Sequence, residues 1–433
     1  MARISATYVV IFVVFLAIAN FLLPRRAQAD AAVTSEPPPA RGMHRTVPPP
    51  SPASLPSQEV LDSIVEQLNR EDEPGIVKLS ATRNRASPHC GMRNYRLSLS
   101  NPRSGASNNY PVLVENSSSQ INELFSVINV VHVDADGSPR SYHPEDPLGR
   151  GRCSARGSAD AGYAIDGVCA LDNFASGDIK IFRDKTRLSG GELERKWVPL
   201  WRLIRDEQLS SYDLGKVARA KVGRDYYMFH SKDLGVTGLF KRDIIPSTNL
   251  GYPCTYGPEA GFPGYFVSAT ALRTVNLDQR ALHIAAPECH AETYINPEKI
   301  PFFVLPGGKV GNLRIGDVVI AASWIGGRQR LVFGVVGDAG PAQSFGEGSI
   351  ALLQGLLGRT GDPVLSGAAV NALDIGRDAK IKVALLILGN TKQLFESNYS
   401  YENLQRIGRH QFERWGGSDP VGRLKACAAQ LGR

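Results

Sequence analysis

LVFGVVGDAGPAQSFGEGSIALLQGLLG, residues 331–358, holds the change of periodicity on which the fold turns. Residues 331–336 are apolar and β-branched enough for a buried strand, and the Gly-Asp-Ala-Gly-Pro segment after them is a breaker. Ile350, Leu353, Leu356 and Leu357 then recur at helical spacing. The stretch therefore predicts a strand ending near Asp338 and a helix with Glu347 in its first turn. Two carboxylates at such a seam suit acid/base chemistry, in which one group gives a proton and the other takes one. The competing structural reading is that Glu347 caps the helix and Asp338 makes an Asx-type turn.

Outward from this stretch the chain repeats short apolar segments divided by Gly, Asn, Ser and Pro, at 110–114, 124–133, 179–182, 262–267, 302–305, 317–322 and 381–388. That spacing predicts a mainly β (α+β) fold, with a barrel-like or compact sheet core and peripheral helices at 346–358 and 402–415. Gly307-Gly308 and Gly326-Gly327 read as tight turns between strands. Residues 192–221, with Trp197, Leu200, Leu203 and Ile204, read as one or two helices inside an insertion at about 183–250.

The N-terminal region has a different character. A basic start is followed by the apolar residues 4–23, then Pro24, two arginines and an Ala-Gln-Ala site, a pattern that reads as a signal cleaved after Ala29 or as an uncleaved anchor. Residues 30–57 are rich in Pro, Ser and Ala, as in an extended tether. Ser57 then opens an amphipathic helix carrying Val60, Ile64 and Leu68. Residues 58–433 form a single catalytic domain in this reading, ending in a helical tail from about 400. The exported chain meets a membrane only if its leader stays attached.

Six cysteines in an exported chain, with no close Cys-x-x-Cys pair, predict disulfides over a zinc site. Six cysteines permit fifteen pairings, among which sequence does not choose; sequence neighbours suggest Cys153 with Cys169 and Cys254 with Cys289, leaving Cys90 with Cys427. The net charge of +7 is modest for 433 residues, and no Lys/Arg block resembles a nucleic-acid stripe, so nucleic acid is not expected as a partner. Residues 183–242 carry a Lys/Arg surplus, whereas 123–178 are acidic.

Residues 334–353 (GVVGDAGPAQSFGEGSIALL), with PGYFVSATAL at 263–272, IPFFVLPGG at 300–308, VDADGSPRSYHP at 133–144 and ALDNFASGDIKIF at 170–182, resemble the catalytic module of glycoside hydrolase family 75, the chitosanases. The blocks run in the family's order across most of residues 125–395. The resemblance implies endo-hydrolysis of β-1,4-linked glucosamine polymers with inversion, by an Asp and a Glu that match Asp338 and Glu347, with Glu347 as acid and Asp338 as base. It implies a polysaccharide substrate and no metal or organic cofactor. The nine-residue spacing of the pair and the basic insertion depart from the compact fungal form.

Further residues fit such a site. Asp134, Asp136, Tyr142 and Asp172 are expected to bind the ammonium groups of the polymer, against the plain alternative of turn residues. Asp134-Ala135-Asp136-Gly137 is not an EF-hand, because that register puts His132 first and His143 last, where a carboxylate is needed. Ser268 and Thr270 lack a nucleophile elbow and read as polar strand-end residues near the cleft. His283 and His290 read as structural. Two rival readings are a peptidoglycan glycan-strand hydrolase, which the basic charge would suit, and a non-catalytic polysaccharide-binding envelope protein.

Overall fold

The computed structural model describes residues 76–81, 89–100, 107–115, 121–139, 141–142, 179–183, 186–187, 195, 217–222, 226–231, 236–241, 243–247, 253–256, 265–274, 289–325, 327–359, 373–375 and 381–432. The expected leader, tether and helix at 57–70, together with Cys153, Cys169, Asp172 and His283, lie outside the described residues.

Ten strands make one curled, open half-barrel sheet. In chain order they begin with β1 (Ile76–Ala81), β2 (Arg93–Ser100), β3 (Ser107–Val114), β4 (Glu123–Ile128) and β5 (His132–Asp134). A separate five-stranded sheet follows, made of β6 (Ile179–Arg183), β7 (Thr186–Arg187), β8 (Val217–Val222), β9 (Tyr226–Ser231) and β10 (Val236–Lys241). The main sheet resumes with β11 (Phe302–Pro306). A two-stranded ribbon, β12 (Lys309–Val310) and β13 (Leu313–Arg314), precedes β14 (Val318–Ile325), β15 (Arg328–Gly340), β16 (Glu347–Ser349) and β17 (Val383–Leu388). The main sheet runs β1-β2-β3-β4-β17-β14-β15-β11-β16-β5, antiparallel except for β11 beside β15 and β16 beside β5. Its edges are β1 and β5, so the barrel-like expectation resolves to an open sheet.

The continuous apolar runs of β14 and β17 follow from burial on both faces. Val383, Leu385 and Ile387 join one hydrophobic cluster, and Ala384, Leu386 and Leu388 the other. Helix α1 (Ile350–Leu357) covers the first face with Ile350, Leu352, Leu353 and Leu356. Helices α2 (Tyr401–Gly416) and α3 (Pro420–Leu431) cover the second with Leu404, Ile407, Phe412, Trp415 and Leu424. Each such side chain contributes about 1.5–3 kcal/mol when fully buried. The Cys90–Cys427 disulfide ties α3 back to the segment before β2, and Cys254–Cys289 closes a smaller loop. Among the described residues no helix is long and apolar enough to cross a membrane.

Several expectations are corrected. The apolar run 124–133 is two strands, β4 and β5, because the chain turns between them and Val131 bridges to Ile375. Residues 265–267 form isolated bridges through Phe266 to Tyr142 and Thr255 in place of a strand. Much of the described part of the insertion is β: β8 pairs with β9, β9 with β10, and β10 with β6, so the helical reading fails at 217–221. Non-local pairing there outweighs the weak helical periodicity.

Candidate functional site

Glu347 is not in a helix. It begins β16, which pairs in parallel with β5, setting Glu347 opposite His132 and Ser349 opposite Asp134. The helix starts only at Ile350, after Ser349, whose hydroxyl accepts from the amide of Leu352 as a true N-cap. Gly346, at φ +140°, turns the chain into β16, and a Cβ there would stand 2.5 Å from the carbonyl oxygen of Val130. Glu347 therefore stands before the helix and not, as the sequence suggests, in its first turn.

Asp338 lies near the end of β15, opposite Val304 of β11. The register shifts between Phe303 and Val304, so Gly337 is the extra residue of a bulge that re-aims the strand end. A side chain at Gly337 would strike Phe302 and Ile295. Because β16 also pairs with β11 at Phe303 and Gly348, the two acids of the 331–358 stretch come from strands that flank β11. Glu347 reaches back over β15: its Oε2 is 3.3 Å from where a Cβ would sit on Gly340.

Asp134 and Asp136 join them. Carboxylate oxygens of Asp134, Asp136 and Asp338 all lie within 4.8 Å of one another, close enough to surround one cation. Asp134 Oδ1 accepts from the amide of Asp136 at 2.8 Å, and Asp338 Oδ1 accepts from the amides of Ala271 and Ala339 at 2.9 and 2.7 Å. Asp136 Oδ1 accepts from the hydroxyls of Tyr142 and Ser268 at 2.8 and 3.0 Å, and Ser268 Oγ in turn accepts from the amide of Gly137.

Burial pushes the Asp338 carboxyl well above the usual carboxylate range, and the charges of Asp136 and Glu347 push the same way against the two amides. Burial likewise raises Asp134 well above that range, reinforced by Asp338, Asp136 and Glu347. Four acids packed this closely cannot all ionise at neutral pH without a compensating cation.

Five of the six expected site residues, Asp134, Asp136, Tyr142, Asp338 and Glu347, therefore meet in one place. Asp134, Tyr142 and Asp338 are nearly buried, at 7%, 2% and 7% exposure, and it is Asp136 that Asp134 and Tyr142 hold by hydrogen bonds. Ser268 is brought to Asp136, to which its hydroxyl donates. Thr270 instead bonds backbone, donating to Leu272 and accepting from Ile295.

Sequence reasoning missed three supports. The amide of Ala271 carries no side-chain signature. Asp374 fixes the edge strand β5 by accepting from the amide of Val133 at 2.9 Å and lying 3.2 Å from His132 Nδ1. Glu298 accepts from Ser138 Oγ at 2.5 Å, bracing the turn after Asp136. The three-aspartate spacing that could hold a divalent cation was also not legible, since Asp338 is far along the chain from the other two. No protein-family model and no curated protein matches this chain.

Proposed function

We propose that this protein is an exported glycoside hydrolase that cleaves β-1,4-linked glucosamine-containing polysaccharide by inverting acid/base catalysis. The observation that carries the reading is the convergence of Asp338 and Glu347, from strands on either side of β11, with Asp134 and Asp136. In the reaction an acid protonates the glycosidic oxygen as the C–O bond breaks. A base takes a proton from water, whose oxygen bonds the anomeric carbon from the opposite face.

The acid must hold its proton at working pH. Asp338 is suited to that: its Oδ1 is occupied by two amides, leaving Oδ2 for the proton that burial and neighbouring charge favour. Glu347, only half-buried, then serves as base. This order reverses the one the family resemblance implies. The concentration of acidic groups suits an ammonium-bearing polymer, and the two disulfides among the described residues suit an oxidising compartment.

Peptidoglycan is the second candidate substrate, favoured by the net charge of +7. Reducing-end release from chitosan and from peptidoglycan, for the native chain and for Asp338→Asn and Glu347→Gln, tests the proposal. Chitosan cleavage abolished by either substitution is expected. Cleavage of peptidoglycan alone would move the substrate, and polymer binding without turnover of either would end the hydrolase reading.

A further inference from the structure

Strand pairing puts one more polar side chain in line with the two proposed catalytic acids. Asp338 of β15 stands opposite Val304 of β11, and the antiparallel register of Phe303 with Gly348 brings Val304 beside Glu347 of β16. Glu347 in turn is paired with His132 of β5. Register partners on adjacent strands, roughly 5 Å apart, project to the same face of a sheet. One row on one face therefore runs Asp338, Val304, Glu347, His132. Exposure rises along it, from 7% at Asp338 through a half-buried Glu347 to 55% for the His132 side chain. The imidazole is the open end of the row, next to the proposed base.

His132 is held from the other side. Asp374 Oδ2 lies 3.2 Å from His132 Nδ1, and Asp374 Oδ1 accepts from the amide of Val133 at 2.9 Å. A carboxylate only accepts, so the ring hydrogen sits on Nδ1, and in the neutral imidazole Nε2 is then an acceptor. The backbone sets the direction. The amide of His132 donates to Gly346 on the edge of β5 that meets β16, whereas the amide of Val133 points to the opposite edge, where Asp374 receives it. Asp374 thus draws Nδ1 outward and turns Nε2 back towards the side of Glu347.

We propose that His132 is a further catalytic residue of the hydrolysis, whose Nε2 accepts one hydrogen of the attacking water while Glu347 accepts the other, and that Asp374 is the positioning residue that sets its tautomer. The role rests on the reading of Glu347 as the base. With both hydrogens of the water directed to acceptors, a lone pair of its oxygen is left to face the anomeric carbon. As the new C–O bond forms and the glycosidic C–O bond breaks, one proton of the water passes to Glu347 and the acid's proton passes to the leaving oxygen. The hydrogen on His132 Nε2 stays with the oxygen as the new anomeric hydroxyl, so His132 orients the water and exchanges no proton.

Steady-state kinetics on chitosan, together with the ring-nitrogen NMR shifts of His132, tests this on the full chain. The native ring should carry its hydrogen on Nδ1. His132→Ala removes an exposed side chain and leaves the bond between Val133 and Asp374 in place, so it should fold normally; kcat should fall by about ten- to a hundredfold with KM little changed. His132→Gln, which sets an amide near the place of Nε2, should recover part of that loss. Asp374→Asn is the sharper variant, because its amide oxygen still accepts from Val133 while its NH2 group donates to Nδ1 and moves the ring hydrogen to Nε2. It should lower kcat as far as His132→Ala does, shift the ring to the Nε2–H form, and cause no further loss when combined with His132→Ala. A kcat unchanged by His132→Ala, a loss confined to KM, or a hydrogen on Nε2 of the native chain at the working pH would overturn this role and leave the hydrolase reading standing. A native chain that cleaves neither chitosan nor peptidoglycan would overturn both.

Discussion

The amide of Ala271 donates to Oδ1 of Asp338 at 2.9 Å, joining two segments 67 residues apart. With the amide of Ala339 on the same oxygen, it fixes which oxygen of Asp338 can carry a proton. This asymmetry decides how the two proposed catalytic acids should respond when each is removed.

Loss of either acid should lower turnover by roughly 10²–10⁴-fold. The two losses should differ in kind. Removal of the proton donor is expected to be relieved by a substrate with a good leaving group, and removal of the base by added azide. Asp338→Asn should show the first behaviour and Glu347→Ala the second. The opposite pattern would restore the order implied by the family resemblance.

Asp136 depends on two hydroxyls. Tyr142→Phe and Ser268→Ala each remove one donor to its Oδ1, and a hydrogen bond to a charged group is worth about 1.5–3 kcal/mol. Each substitution should reduce kcat by about tenfold or more with little change in KM, and the double variant should lose less than the product of the two. Steady-state kinetics on chitosan checks both points, and a change confined to KM would place Asp136 in substrate binding alone.

The raised carboxyls of Asp134 and Asp338 make stability depend on pH in a defined direction. A carboxyl raised on folding contributes stability that is fully present below its unfolded value of about 4 and is lost as pH rises through its folded value. Denaturation midpoints should therefore fall as pH rises from about 4 towards neutrality. Asp134→Asn keeps the acceptor for the Asp136 amide and removes the charge, so it should flatten this slope and raise the midpoint at neutral pH. A variant as pH-dependent as the native chain would show that the buried cluster is not the cause.

Helix α3 is held by Cys90–Cys427, which spans 337 residues of sequence, and by Arg423 on the Cys90 carbonyl. Cys427→Ser, paired with Cys90→Ser to avoid a stray thiol, should cost about 2–5 kcal/mol. Denaturant titration should show that loss against the native chain under non-reducing conditions.

Gly340 is a place where shape and chemistry meet. A Cβ there would come 2.7 Å from Val304 Cγ1 and 3.3 Å from Glu347 Oε2. Gly340→Ala should displace the Glu347 carboxylate and reduce kcat more than tenfold, with a midpoint shift of only a few degrees. An active Gly340→Ala enzyme would argue that Glu347 is not held in its working position by this contact.

The sequence by itself determined the mainly β class, the strands at 302–305, 331–336 and 381–388, the C-terminal helices and the two acids of the 331–358 stretch, because these depend on local periodicity and on breakers close in sequence. It also set Asp134, Asp136 and Tyr142 near one another, since they lie within nine residues. What only the tertiary structure decided was the conformation at Glu347 and the company of Asp338. The residues around Glu347 have a helical rhythm, but parallel pairing with β5 and a backbone bond from His132 to Gly346 extend them, and the helix waits for Ser349. The Ala271 amide, Asp374 and the approach of Asp338 to Asp134 and Asp136 come from strand order and a bulge, which are long-range consequences of packing that no local pattern carries.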